Sequence, residues 1–315
     1  MEAITARRRV QLAVAFATVW FVWGSTYLAI AIGIETMPPF AMAGIRFFGA
    51  GLGVLAWCAA RGVRVTRWMH WRNATIIGSM MLAFANGGVT WAEQTVQSSI
   101  AALIITTVPL WMTFLDSTVY GGRRATRRTW AGLALGFLGM IGLMRPSGDA
   151  LGTLPVAGVM MLLASSFAWA NGSLLMRRLE LPKSPLASLG AQMTAGGLVL
   201  LIFSTAIGEL ASFDPSTVST RSWSALIYLA VFGSVISLSA YTYLLREVSA
   251  SAVGTYAFIN PVIAVALGWW IASEPMTPRV LLAGAMIVVA VVVILAPMRR
   301  RKVEAAPELA EESAG

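Results

Sequence analysis

Residues 96–116 read VQSSIAALIITTVPLWMTFLD, 21 residues whose one charged side chain, Asp116, stands at the last position. A bilayer core of about 30 Å is crossed by roughly 20 apolar residues in helical form, so the segment has the length and composition of a membrane span. It begins on small residues (Ser98, Ser99, Ala101, Ala102) and carries Pro109 past its middle. A second stretch, SASAVGTYAFINP from Ser249 to Pro261, repeats those features at an offset of 152, with Ser99 matching Ser251 and Pro109 matching Pro261. The chain therefore reads as a membrane protein with an internal repeat.

Outward from this segment, cuts at charges, prolines and turn residues place spans near 10–34, 38–60, 73–92, 96–116, 127–145, 151–175, 184–207, 222–245, 250–273 and 277–297. The chain of 315 residues is 57% hydrophobic and 12% charged, about half the charge of a soluble domain. A net charge of +9 would suggest nucleic acid in a soluble protein. Here the basic residues sit in short clusters between apolar runs, a pattern that orients helices and argues against a nucleic-acid partner. With the N-terminus inside, 19 of the 23 Lys and Arg fall on the inner side. Arg145, Arg221 and Arg279 fall outside, and Arg46 lies within a span. The expectation is a multi-pass protein of a bacterial inner membrane with both termini cytoplasmic.

The apolar stretch after Arg7, Arg8 and Arg9 is about twice the length of a signal-peptide core, which predicts an uncleaved first helix. Residues 299–315 turn basic, then acidic and Ala-rich, and are expected to form a disordered cytoplasmic tail. One cysteine, Cys58, and one histidine, His70, leave no disulfide framework and almost no zinc or haem ligands, so neither a metal nor a cofactor is expected.

The repeat covers the whole bundle. At an offset of 146, Trp23 meets Trp169, Gly44 meets Gly190, and Gly51-Leu52 meets Gly197-Leu198; at 152, Arg127 meets Arg279 and Ala131-Gly132 meets Ala283-Gly284. Five helices per copy is an odd number, so the second copy enters the membrane inverted, an arrangement that gives transporters two related gates around a midplane site. The predicted fold is all-α integral membrane, ten transmembrane helices as two inverted five-helix repeats, 10–145 and 151–297. Duplication for stability alone is the plain alternative.

Trp23-Gly24-Ser25-Thr26-Tyr27, the Arg46-Phe47 segment, the run from Ser98 to Pro109, the run from Ser249 to Pro261 and the turn Ser273-Glu274-Pro275 resemble the drug/metabolite transporter superfamily, in particular its ten-helix exporters with two EamA domains. The resemblance covers roughly residues 10 to 297. It implies export of amino acids or related metabolites by alternating access, with helices 1 to 4 and 6 to 9 around a cavity and helices 5 and 10 outside it.

Helical spacing selects candidate cavity residues without the family. Trp20, Trp23 and Tyr27 share a face of the first helix, and their mates Ser166, Trp169 and Ser173 share one in the sixth. Mid-span aromatics can stack on an apolar or aromatic solute, although plain helix packing uses the same spacing. Arg46 is the sharpest feature. A guanidinium at that depth costs about 2.5 to 3.5 kcal/mol on insertion scales, so it faces a cavity or a partner. It could grip a solute carboxylate or pair structurally with Glu93 or Glu35; its mate is Gln192.

Asn86, Thr90, Glu93 and Gln97 run down one face of the third helix. Glu93 is the candidate proton-coupling acid, against the alternative of an ordinary loop carboxylate. Pro109 and Pro261 are candidate gate hinges, and Tyr256 and Asn260 candidate hydrogen-bonding groups; Tyr241 stands with Ser234 and Ser237 on a mildly polar wall. The expected partners are a small-molecule substrate and the lipid bilayer, as a monomer or homodimer. A multi-pass membrane enzyme, or a carrier of sugars or drugs, is the competing function, but the clustered His/Asp or carboxylate site that an enzyme needs is missing from the sequence.

Overall fold

The computed structural model describes residues 6–121, 127–144, 154–247 and 256–295, and within them every regular element is helical. The expected tail at 299–315, the start of the ninth span, and Arg123, Arg124 and Arg145 lie outside the described residues. The long helices are α1 (Arg7–Gly33), α2 (Pro39–Ala60), α3 (68–92), α4 (Ser98–Thr118), α5 (Arg127–Met144), α6 (Val156–Leu175), α7 (Pro185–Ala206), α8 (220–247), α9 (Tyr256–Ala272) and α10 (Pro278–Leu295). By length and composition α1, α2, α4, α6, α7 and the Thr220–Tyr241 part of α8 are long and apolar enough to cross a membrane. Proline opens α2 and α7 in the first turn, where its missing N–H costs nothing. Ser219 caps α8 by accepting from Ser222 N at 3.0 Å.

Helices α2 and α7, each 22 residues long, pack through glycines. A Cβ on Gly51 of α2 would lie 2.4 Å from Thr194 N, and one on Gly197 of α7 would lie 2.3 Å from Phe48 N. Further along, Gly44 faces Leu201 and Gly190 faces Leu55. The paired positions run in opposite order along the two helices, so α2 and α7 are antiparallel, and each contact recurs with its partners exchanged at the offset of 146. Helices α5 and α10, each 18 residues, are also antiparallel, with Gly136 facing Ala290 and Gly139 facing Ile287. Small residues allow this close approach and so set the helix pairing.

Several helices depart from regular α geometry. Eight-residue π-helical stretches interrupt α3 at Ser79–Asn86 and α8 at Leu229–Ile236, and a five-residue one interrupts α1 at Thr18–Val22. Polar side chains satisfy carbonyls in the widened turns: Asn86 Nδ2 donates to Met81 O at 2.9 Å, and Ser237 Oγ donates to Phe232 O at 2.8 Å. Helix α4 breaks at Thr106 and Thr107, just ahead of Pro109, and both hydroxyls donate back to backbone carbonyls, those of Ala102 and Ile104.

The packing differs between the two ends of the bundle. One continuous apolar cluster, including Ile30, Met42, Val89, Ile100, Leu162, Leu229 and Ile287, joins α1, α2, α3, α4, α6, α8 and α10 toward the end where α2, α4 and α8 begin. Toward the other end, which holds Arg8, Arg67 and Arg72 and is called the basic end below, the core is divided. Ala15, Val19 and Leu244 join α1 to α8, whereas Val108, Leu115, Ala170 and Leu174 join α4 to α6. The first half of α4 packs on α1, α6 and α9, and its second half packs chiefly on α6.

Hydrogen bonds tie the sealed end across the two repeats. Glu209 accepts from Phe40 N at 3.1 Å and Ala41 N at 3.0 Å and so caps α2. Glu274 caps α4 in the same way. Thr36 donates to Ser222 Oγ at 2.8 Å, and Arg221 pairs with Glu35 at 3.3 Å. At the basic end Arg8 pairs with Glu247 at 2.9 Å, Arg67 pairs with Glu180, and Tyr120 at the end of α4 bonds Asn171 of α6.

Candidate functional site

A cavity lies below the sealed end, walled by residues of α1, α2, α3, α4, α6, α8 and α9. Helix α7 adds nothing to the wall, because its glycine face is spent on α2 and α3; Gly78 of α3 abuts Gln192 O. The breaks described above shape the walls. Thr106 and Pro109 line the cavity at the break in α4, Asn86 lines it at the end of the π-helical stretch of α3, and Gly233 does so within that of α8.

Trp23, Tyr27, Arg46, Asn86, Pro109, Trp169, Tyr256, Asn260 and Pro261 meet around this space. Trp23 is held by its indole N–H, which donates to Gly233 O at 3.3 Å, and by the rings of Tyr241 and Tyr256 at 5.1 and 5.2 Å between centroids. Tyr241 thus stands behind Trp23 as support rather than in the wall. Asn260, with its amide oriented to satisfy its neighbours, donates to Trp20 O at 3.1 Å and Tyr256 O at 3.2 Å and so ties α9 to α1. Trp20 itself packs on Phe16 at 5.3 Å and is not in the wall: the π-helical turn at 18–22 rotates it away from the face that regular spacing would share with Trp23. Thr90 is buried and bonds Asn86 O within its own helix. Gln192 is buried in α7 and donates to Ser188 Oγ at 3.0 Å.

Arg46 is only 5% exposed. Its Nε donates to Ser234 Oγ at 3.0 Å and its guanidinium lies over the Phe47 ring at 4.6 Å. The two carboxylates considered as structural partners are elsewhere. Glu35 pairs with Arg221, and neither Glu93 nor any other carboxylate forms an ion pair with Arg46 among the described residues. A buried cation that faces a cavity with one neutral hydrogen bond leaves most of its donor fork for something in the cavity. Ser165, which hydropathy does not single out, also lines the space, and its buried Oγ has no partner. Trp23, Tyr27, Trp169 and Tyr256 make the rest of the wall aromatic and apolar.

Glu93 sits at the end of α3, outside the cavity wall, 8% exposed, and neither carboxylate oxygen has a hydrogen-bond partner. Glu274, in the link between α9 and α10, is by contrast fully engaged. It accepts from Ser98 N at 2.9 Å, Ser98 Oγ at 2.6 Å and Ser99 N at 3.0 Å. Gly268 makes room for it, since a Cβ there would lie 2.4 Å from Glu274 Oε2, and Ser273 just before it takes a left-handed φ of 55°.

Long apolar helices packed at one end above a cavity that, among the described residues, Arg46 alone lines as a cation are the frame of a membrane transporter, and the family match gives that class. The model of the EamA-like transporter family matches residues 12–145 and again 156–296, and the chain belongs to that family, within the drug/metabolite transporter superfamily. It is 40% identical over 281 residues to the inner membrane transporter YedA of Escherichia coli (strain K12), covering 89% of each chain. It is 23% identical over 274 residues to a probable amino-acid metabolite efflux pump of Salmonella typhimurium, covering 85% of this chain and 89% of that one. A crystal structure of a protein 18% identical to it superposes with a TM-score of 0.62 over 90% of this chain and 97% of that one, a likeness of fold.

Proposed function

We propose that the protein is a secondary transporter that exports a small solute bearing a carboxylate, an amino acid with an aromatic or other neutral side chain, from the cytoplasm by alternating access. The observation that carries the substrate class is Arg46, buried in the wall without an anionic partner among the described residues. A solute carboxylate accepts both arms of a guanidinium fork, which is the geometry an otherwise unused fork demands. Trp23, Trp169 and Tyr256 offer flat apolar surface to the remainder of the solute. The relative called a probable amino-acid metabolite efflux pump points the same way.

In this reading all ten long helices cross the bilayer as two inverted fives. The support is the exchange of contacts between α2 and α7, with α5 and α10 antiparallel as well: antiparallel mates with swapped contacts are related by a two-fold axis perpendicular to them, in the membrane plane if they cross it. The π-helical stretches of α3 and α8 and the prolines of α4 and α9 fall at corresponding places in the two copies. The basic end is cytoplasmic by the rule that Lys and Arg stay inside, so the sealed end faces outward.

The test is thermal stability of the purified protein with neutral amino acids and with their amides. The free acids are expected to raise the melting temperature and the amides to leave it unchanged. Equal shifts from acid and amide would remove Arg46 as reader of a carboxylate.

A further inference from the structure

The break in α4 leaves backbone oxygen on the cavity. Pro109 has no N–H, so the carbonyl of Ile105, four residues earlier, loses the donor that a regular helix would give it. Leu110 N donates to Thr107 O at 2.9 Å rather than to Thr106 O, and among the described residues no other group donates to the carbonyls of Ile105 or Thr106. Ile105, Thr106 and Pro109 all line the cavity, so the gap between the Ile105 carbonyl and the proline ring opens onto it. A backbone carbonyl left in such a place demands a donor. The Thr106 hydroxyl, in a residue 4% exposed, spends its proton on Ala102 O at 2.9 Å and keeps its lone pairs. These oxygens stand at the C-terminal end of the first half of α4, Ser98–Ile105, where the helix dipole is negative and favours a cation.

Other polar groups of the wall have also spent their protons on the backbone. Thr26 donates to Trp23 O at 2.7 Å, Trp23 donates to Gly233 O, and Asn260 donates to Trp20 O and Tyr256 O. The cavity is thus chemically two-sided. Arg46 stands on α2, which packs on α3, α7 and α8; the bare oxygens stand on α4, whose first half packs on α1, α6 and α9. Resting on the transport reading above, we propose that the break in α4 is the subsite for the solute's ammonium group, with Ile105 O and Thr106 Oγ1 as its acceptors. Arg46 takes the carboxylate, the ammonium group donates to α4, and the cavity selects zwitterions over plain carboxylic acids. Carbonyls freed where a helix is interrupted are suited to this task, because their lone pairs are already free of the helix.

The experiment measures the melting temperature of the full-length protein against increasing solute, with each amino acid matched to the acid that lacks its ammonium group: phenylalanine with hydrocinnamate, and leucine with isocaproate. The amino acids are expected to act at concentrations lower by about ten-fold or more, the worth of one hydrogen bond to a charged group. Thr106→Val keeps the branched shape and removes the oxygen, so it should shrink that advantage, and Thr106→Ser should restore it. Equal action of an amino acid and its matched acid in the wild type would overturn the ammonium subsite and leave the reading of Arg46 intact. So would an undiminished advantage in folded Thr106→Val. Stabilisation by sodium over potassium without solute, lost in Thr106→Val, would give these oxygens to a metal cation and overturn the proposal. No shift from either amino acid would overturn the transport reading on which the subsite rests.

Discussion

Replacing Arg46 with Met removes the charge but keeps an unbranched side chain of similar reach. Ser234 Oγ loses the donor from Arg46 but still donates to Leu229 O at 3.1 Å, so no buried hydroxyl is orphaned. Taking a lone guanidinium out of a site 5% exposed also removes a desolvation cost, so the variant should fold at least as well as the wild type. The effect on solute is the reverse. Breaking a buried, hydrogen-bonded charge pair typically costs about 2 to 5 kcal/mol. At 1.4 kcal/mol per factor of ten, that weakens solute affinity by about 30-fold to a few thousand-fold. Arg46→Lys keeps the charge without the fork and should fall between the two. The assay is the concentration dependence of labelled amino-acid exchange in liposomes, with melting temperature measured in parallel. An unchanged half-saturation concentration in a well-folded Arg46→Met protein would refute the assignment of Arg46 to the solute.

Gly268→Ala should push Glu274 away from Ser98 and Ser99, at about 1–3 kcal/mol for each buried donor left unpaired, and lower the melting temperature; Gly62→Ala tests the method, because although its φ of 77° adds some strain, it has no neighbour within 4 Å and should cost much less. Gly51→Val should separate α2 from α7, since even the first added carbon would meet Thr194 N, and should be seen as loss of monodisperse protein on extraction. In the link between α7 and α8, Asp214 accepts from Ser216 N at 2.8 Å and Ser216 Oγ at 2.7 Å, and these two hydrogen bonds to the ionised form lower its pKa below the usual carboxylate value. The turn is therefore fully held above the ordinary carboxylate value and loosens as pH falls through the depressed one, so amide exchange at Ser216 should quicken only on strong acidification.

The sequence was most legible where one residue's hydropathy settles its place. The spans expected at 38–60 and 184–207 fall on α2 (Pro39–Ala60) and α7 (Pro185–Ala206), because apolar runs bounded by prolines and charges leave little freedom. The matched glycines carried the α2–α7 pairing, although nothing in one copy says which surface they touch. Wall assignments were harder. The stripe of Trp20, Trp23 and Tyr27 assumes regular turns, and the π-helical stretch at 18–22 breaks that assumption with no hydropathy signal. Gln192 looked like the polar mate of Arg46, yet α7 buries it against α3, since symmetry of sequence does not impose symmetry of a cavity. The caps by Glu209 and Glu274 join residues more than 160 positions apart, beyond any local pattern.

This bundle is proposed to move a carboxylate-bearing solute through a cavity built around Arg46. Its most direct test is counterflow: purified protein in liposomes preloaded with an unlabelled neutral amino acid, with entry of the labelled form followed over time. The expected result is transient accumulation that is saturable and is competed by free amino acids but not by their amides. Labelled solute entering no faster than in protein-free liposomes, for every neutral amino acid, would contradict it.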